Sequence, residues 1–363
     1  MAITQMKYLR DSTERNAHLI LTYDYELYLG SDSGSFENCL QHPTNLILEW
    51  LEENHAKAIF FIDTVYLMKL RELAGYSTPA ATDWKSACQQ ILRMGECGHD
   101  IFPHIHAHWI DAEYDEQTNR WSNDQYRYYR FAACPQELCS RLYDDSVNIL
   151  REILGVSNHV PEGYRAGGWS IQPFDAFREN FEHFGTFADF SVVPDKILRT
   201  GSASYDFSGA PEKPSYRFSD DPVKEDPNGR FVEIPISTIS MSMFEEHLSR
   251  IFGKVLCRTG YGKSMGQGIG VNFVSDPQTL KFEKETEMEK EMATLDGYSF
   301  NIFKIPAYMR HVKQCGVLHM CSHPKLMTRH SLTAATLLLK FLKSKYHLNY
   351  DFRALVPAAS SDQ

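Results

Sequence analysis

The chain has 363 residues, of which 43% are hydrophobic and 13% aromatic, with a formal net charge of −10. So much apolar material excludes an intrinsically disordered chain, and the acidic balance argues against a nucleic-acid partner. No run of roughly 18 uncharged apolar residues exists, which excludes a spanning helix, and Met1–Arg15 lacks the apolar segment of a secretory signal.

These features predict a single cytoplasmic domain over residues 1–363. The eight cysteines form no CxxC pair and sit mostly in apolar or helical contexts, as reduced buried thiols do. Oligomeric state is not encoded in any pattern of the chain.

His18–Tyr23 is a dense apolar, β-branched run that predicts a buried strand. Asp24-Tyr25-Glu26 follows at the strand end, where α/β proteins place their chemistry. A Gly/Ser/Asp loop then spans Tyr28–Gly34. Thr44–Asn54 has helical periodicity, and Ala58–Ile62, ending at Asp63, is a second buried strand, which together give a βαβ unit. Asp83–Met94 predicts a helix stopped by Gly95.

The stretch Gly98–Trp109 comes next and carries His104, His106 and His108 at alternate positions. Imidazole is the commonest protein metal ligand. Two histidines four apart share a helical face, and two histidines two apart share a strand face. Either geometry aims two ring nitrogens at one ion.

Trp109–Phe131 is rich in aromatic and polar residues, suited either to stacking on sugar faces or to packing as a lid. Pro135–Leu154 is an amphipathic helix. Arg165-Ala166-Gly167-Gly168-Trp169 places an arginine before a small-residue turn, able to hold a carboxylate bidentately. Pro173–His183 predicts a helix, and Phe187–Val193 a strand with Asp189 as an ordinary strand-end residue. Tyr205–Arg230 is an irregular excursion, and Phe231–Ile236 resumes a strand.

Gly262-Lys263-Ser264 is not a phosphate loop, because Cys257 stands where the first glycine is required. Lys281–Met292 alternates Glu and Lys like a solvated helix face. Gly316–Pro324 predicts a late buried strand, with His319 a satisfied core histidine and His323 at the exit. A last helix begins at Ser331.

The order Asp-x-Glu, His-x-x-x-His, Arg-x-x-Gly and a late Ser-His-Pro resembles the polysaccharide deacetylase family (carbohydrate esterase family 4, the NodB-homology fold). Within that family it is similar to the WbmS-like branch of bacterial surface-polysaccharide clusters. The match runs from Leu19 to about Tyr346, and Gly98-His99-Asp100-Ile101 with His104 and His108 is its most specific part.

The resemblance implies an α/β fold, a distorted (β/α)7-8 barrel with a long insertion near residues 200–300. It also implies a metal-dependent hydrolase that removes an N-acetyl or N-formyl group from a sugar or glycan intermediate of surface-polysaccharide (O-antigen or capsule) assembly. The implied metal ligands are His104, His108 and Glu26; the implied catalytic groups are Asp24, Arg165 and His323. Zinc leads the possible divalent ions, with cobalt, nickel or iron as alternatives. Tyr25, His106, Trp109 and Trp169 are candidate carbohydrate contacts.

The chain departs from the family where a second aspartate is replaced by Tyr25, with Glu26 one residue later. Asp24 could be the base and Glu26 the ligand, or the reverse. His106 is extra, and could be a ligand, a group behind the ligands or a substrate contact. The altered motif also leaves open a hydrolase of a small amide, with or without a metal, and an inactive carbohydrate-binding homologue.

Overall fold

The computed structural model describes residues 15–123, 125–200, 203–271, 290–297 and 300–358. Nine strands make one sheet: β1 (Arg15–Tyr25), β2 (Ile59–Asp63), β3 (Asp100–Ile105), β4 (Gly163–Ala166), β5 (Ala188–Asp189), β6 (Tyr216–Phe218), β7 (Phe231–Glu233), β8 (Val317–Ser322) and β9 (Tyr346–Asn349). Their spatial order is β6-β7-β5-β4-β3-β2-β1-β8, and β9 pairs the first residues of β1. Every pairing is parallel except β6 with β7. The architecture is mixed α/β, with the sheet curled into a half-barrel.

The helices that pack around the sheet are α1 (His42–Glu53), α2 (Thr64–Leu73), α3 (Thr78–Glu96), α4 (Gln136–Leu154), α5 (Asp175–Phe184), α6 (Met243–Cys257), α7 (Ile305–Cys315) and α8 (Arg329–Lys343).

Alternation along the strands separates two environments. Side chains two apart share a face, and one face of the sheet carries Ile20, Ile59, Phe61, Phe102, Phe190 and Ile234 as a buried apolar floor. Further along the same strands that face turns polar, with Asp24 and Glu26 after Ile20, Asp63 after Phe61, and His104 and His106 after Phe102. The opposite face carries Tyr23, Phe60 and Ile101 into the main core. Register aligns the polar ends: Asp63 pairs with His104, His104 with Arg165, and Tyr23 with Ser322.

Several expected boundaries move. Asp83 does not cap α3; the helix starts earlier, with a proline in its first turn. Only Ala188–Asp189 of the Phe187–Val193 run is ladder-paired. Ser331 lies three residues inside α8, where it forms a capping box with Thr328. α6 is not among the expected elements, although Phe244, Leu248, Ile251 and Val255 recur at helical spacing; Phe244, Ile251 and Val255 of that stripe are exposed.

Of the acidic–basic run Lys281–Met292, residues 281–289 lie outside the described residues, while Glu291–Met292 pair with Thr238–Ile239 as a short ribbon rather than a helix. The cysteines are all free, but only Cys39, Cys139 and Cys321 are buried, and Cys257 and Cys315 are exposed. Among the described residues no helix is long and apolar enough to cross a membrane.

Candidate active site

Asp24, on the last turn of pleat in β1, is held by a buried arginine. Arg165 Nη1 donates to Asp24 Oδ1 at 2.5 Å, and both groups are almost wholly inaccessible. The rest of the guanidinium is also engaged. Nε donates to Phe190 O (3.0 Å), Nη2 to Thr22 Oγ1 (2.8 Å), and the cation lies 4.3 Å from the Phe61 ring centroid.

Arg165 Nη2 also stands 3.0 Å from His319 Nε2, while His319 Nδ1 is 3.0 Å from the carbonyls of Ile234 and Pro235. This fixes His319 as a neutral ring with its proton on Nδ1. Burial and the adjacent Arg165 push its pKa down to about 3. Burial also works against ionised Asp24, but Arg165, with His104 and His323, outweighs it and holds the carboxyl below its usual range. Removing one partner of such a buried pair costs about 3–5 kcal/mol.

Glu26 faces the same way two residues on. Its Oε2 is 2.7 Å from His106 Nε2 and 3.2 Å from His104 Nε2, and those two nitrogens are 3.0 Å apart. His104 Nδ1 donates to the carbonyl of Arg165 at 2.8 Å. The other oxygen, Oε1, accepts from the buried ammonium of Lys325 at 2.7 Å, which also donates to Leu27 O. Burial opposes ionised Glu26, but Lys325 and the two imidazoles overcome it and hold the carboxyl well below its usual range.

The three converging atoms suit a divalent cation. A tetrahedral set with bonds of about 2.1 Å has edges near 3.4 Å; the edges here are 2.7, 3.0 and 3.2 Å, so a small outward shift opens the site. A second group, Asp24, Cys321 and His323, also converges. Its carboxylate is already clamped by Arg165.

His323 stands at the exit of β8, with Nε2 3.7 Å from Asp24 Oδ2 and 3.6 Å from Glu26 Oε1. Its Nδ1 is 2.7 Å from Asp296 Oδ2, and its backbone N–H donates to Asp296 Oδ1, also at 2.7 Å. Burial would lower its pKa; Asp296, then Asp24 and Glu26, outweigh burial and raise it.

His108 does not join the cluster. β3 ends at Ile105, and Ala107–Asp111 is a 3-10 turn, so strand alternation carries His106 but not His108 onto the face of His104. The fully buried His108 ring instead lies 4.9 Å from Tyr129, with neither nitrogen hydrogen-bonded. Burial first, then His106, holds its pKa well below the usual imidazole value.

Two candidate sugar contacts are also displaced. Tyr25 points to the opposite face from its acidic neighbours, is fully buried, and donates to Gln90 Oε1 of α3 at 2.9 Å. Trp109 is fully buried, donates to Asp63 Oδ2 at 2.5 Å, and packs between Tyr66 and Trp121. Burial raises the pKa of Asp63 to about 8.

Trp169 and His106 do line the cavity above the site, together with Asp24, Glu26, His104 and His323. Sequence reasoning missed Lys325 and Asp296. Lys325 directly follows Ser-His-Pro, a position from which a side chain can return over the sheet edge; Asp296 lies in an irregular segment that carries no periodic signal.

Compared by sequence, neither a family model nor a curated protein matches the chain. Compared by fold, it is similar to a Mycobacterium smegmatis protein provisionally assigned as a polysaccharide deacetylase, with a TM-score of 0.47 and 12% identity over 94% of this chain and 90% of that one. A polysaccharide deacetylase of Bacillus cereus aligns with a TM-score of 0.36 and 13% identity over 95% of this chain and 97% of its own. A family 4 carbohydrate esterase of Streptomyces lividans, in complex with acetate, aligns with a TM-score of 0.34 and 10% identity over 91% and 90%.

Proposed function

We propose that the protein is a metal-dependent hydrolase that removes an N-acyl group, acetyl or formyl, from an amino sugar of a surface-glycan intermediate. The observation that carries this reading is the placement of three kinds of group on one sheet edge. Glu26, His104 and His106 form a ligand-type set, Asp24 is a base locked by Arg165, and His323 is an acid supported by Asp296. In this reading His106 takes the ligand position that the motif resemblance gave to His108, and Asp24, not Glu26, is the base.

The metal, with zinc as the first candidate, would supply Lewis-acid polarisation of the acyl oxygen and a more acidic water. The chain's own residues do the rest. Asp24 takes a proton from the attacking water as its oxygen bonds to the acyl carbon. Arg165 keeps Asp24 ionised and oriented. His323 gives its Nε2 proton to the nitrogen as the C–N bond breaks, leaving a carboxylic acid and a free amine. A base held low and an acid held high are the opposite protonation states this chemistry needs near neutrality.

The test is metal content of purified protein, beside acyl release from N-acylated sugars. About one divalent ion per chain is expected in wild type and in His108→Ala, and none in His104→Ala/His106→Ala. Asp24→Asn should keep the ion and lose about 10²–10⁴ in rate. Metal-free wild type after incubation with zinc, cobalt or nickel would sink the reading.

A further inference from the structure

The cavity lies beneath a strap. Residues 265–271 cross its mouth and are tied down at three points. At one end Met265 N donates to Met327 O (3.0 Å) and Gly266 N to Lys325 O (2.9 Å), on the chain leaving β8. Midway, Ile269 N donates to Asp32 O at 2.7 Å and forms a bridge to the loop after β1. At the far end Val271 packs on the buried cluster of Tyr126, Tyr129 and Ala203.

The strap therefore spans from the β8 exit to the aromatic segment that follows β3. Gly270 and Val271 line the cavity that holds the acids and imidazoles. The seam with the β1 loop is closed at Gly30, where a Cβ would stand 2.3 Å from Gly270 O and 2.5 Å from Ile269 O. Only glycine permits that approach.

An internal unit of a long glycan needs an open groove, because the chain must leave the site on two sides. Among the described residues, a strap anchored on both sides of the mouth stands across the path such a chain would take. The cavity measures about 290 Å³, just below the range of roughly 300–1,000 Å³ that holds drug-sized ligands.

We propose that the substrate is a single N-acylated amino-sugar unit, free or at a chain end, entering head-on, and that internal units of a polymer are excluded. This rests on the N-acyl hydrolase reading.

Zinc-supplemented full-length protein would be given N-acetyl- and N-formyl-hexosamine monomers, and separately a β-linked N-acetylglucosamine hexamer, with the deacylated position mapped by mass spectrometry. Acyl release from the monomers, and only from the terminal unit of the hexamer, with internal units at least tenfold slower, is expected. Internal units hydrolysed as fast as monomers would overturn the size inference and leave the hydrolase reading standing. Release from neither would overturn both.

A second variant tests the strap itself. Gly30→Leu should lift it, raise the monomer KM and admit internal units. A Gly30→Leu protein that binds metal like wild type and still rejects internal units would remove the strap as the cause.

Discussion

Arg165 joins two chemistries through one residue. Its side chain orients Asp24, and its carbonyl fixes the proton of His104 on Nδ1, leaving Nε2 to face Glu26 and His106. His323 depends on its partner in a similar way. Burial alone would lower its pKa, and Asp296 is the first of the groups that reverse this. In the proposed reaction His323 is the acid and must be protonated, so activity should fall as pH rises through its pKa. Asp296→Asn should move that alkaline limb of kcat/KM to lower pH and leave metal content unchanged; a limb that stays in place would exclude His323 as the acid.

At this scale the sequence pointed to Asp24 and His323, because each follows a recognisable strand, and to Arg165, because it precedes a small-residue turn. It did not distinguish His106 from His108. Both spacings aim two nitrogens at one point, and the choice depends on where β3 gives way to a 3-10 turn.

Neighbouring strands place a second pair of acids next to each other, away from the cavity. Glu233 of β7 is paired with Asp189 of β5, and both are fully buried. They share a hydrogen bond, Ser191 Oγ donates to Asp189 Oδ1 at 2.7 Å, and Val192 N donates to Glu233 Oε1 at 3.2 Å. Burial, then the Asp189 carboxylate, raises the Glu233 pKa well above its ordinary value.

A carboxyl raised on folding keeps its proton in the native state while the unfolded chain loses it. Its contribution is therefore intact below the ordinary glutamate pKa and is lost as pH rises toward the folded value. Glu233→Gln should gain stability relative to wild type as pH goes from 4.5 to 8 in urea unfolding. A difference constant over that range would show that no proton is shared. Sequence pattern labelled Asp189 a simple strand end, since pairing between residues 44 positions apart leaves no local signature.

For the whole molecule, the site draws on β1, β3, β4 and β8, so an ion held there bridges segments far apart in sequence. Binding to the folded state alone stabilises by about 2.7 kcal/mol at a hundredfold excess over Kd. For a chain of this size that is a rise in melting midpoint on the order of 5 °C. Scanning calorimetry with added zinc should show that rise for wild type and none for His104→Ala/His106→Ala. The overall α/β order was legible because β1, β2 and β8 are nearly continuous apolar runs. The strap was not, because its role arises from backbone contacts that glycines permit rather than from side-chain pattern.

The placement of β1 between β2 and β8 has a consequence for synthesis. Its register with β8 pairs His18 with Val317 and Tyr23 with Ser322. At roughly 5–20 residues per second, the ribosome takes on the order of 15–60 s to make the intervening segment. During that interval the β8-facing edge of β1 has no native partner, and its apolar residues are open to wrong pairing. A nascent chain already carries Asp24, Arg165, His104 and His106, yet it lacks His323 and Lys325. The proposed reaction thus becomes possible only after β8 and the residues that follow it are made, when one late strand closes that edge and delivers His323.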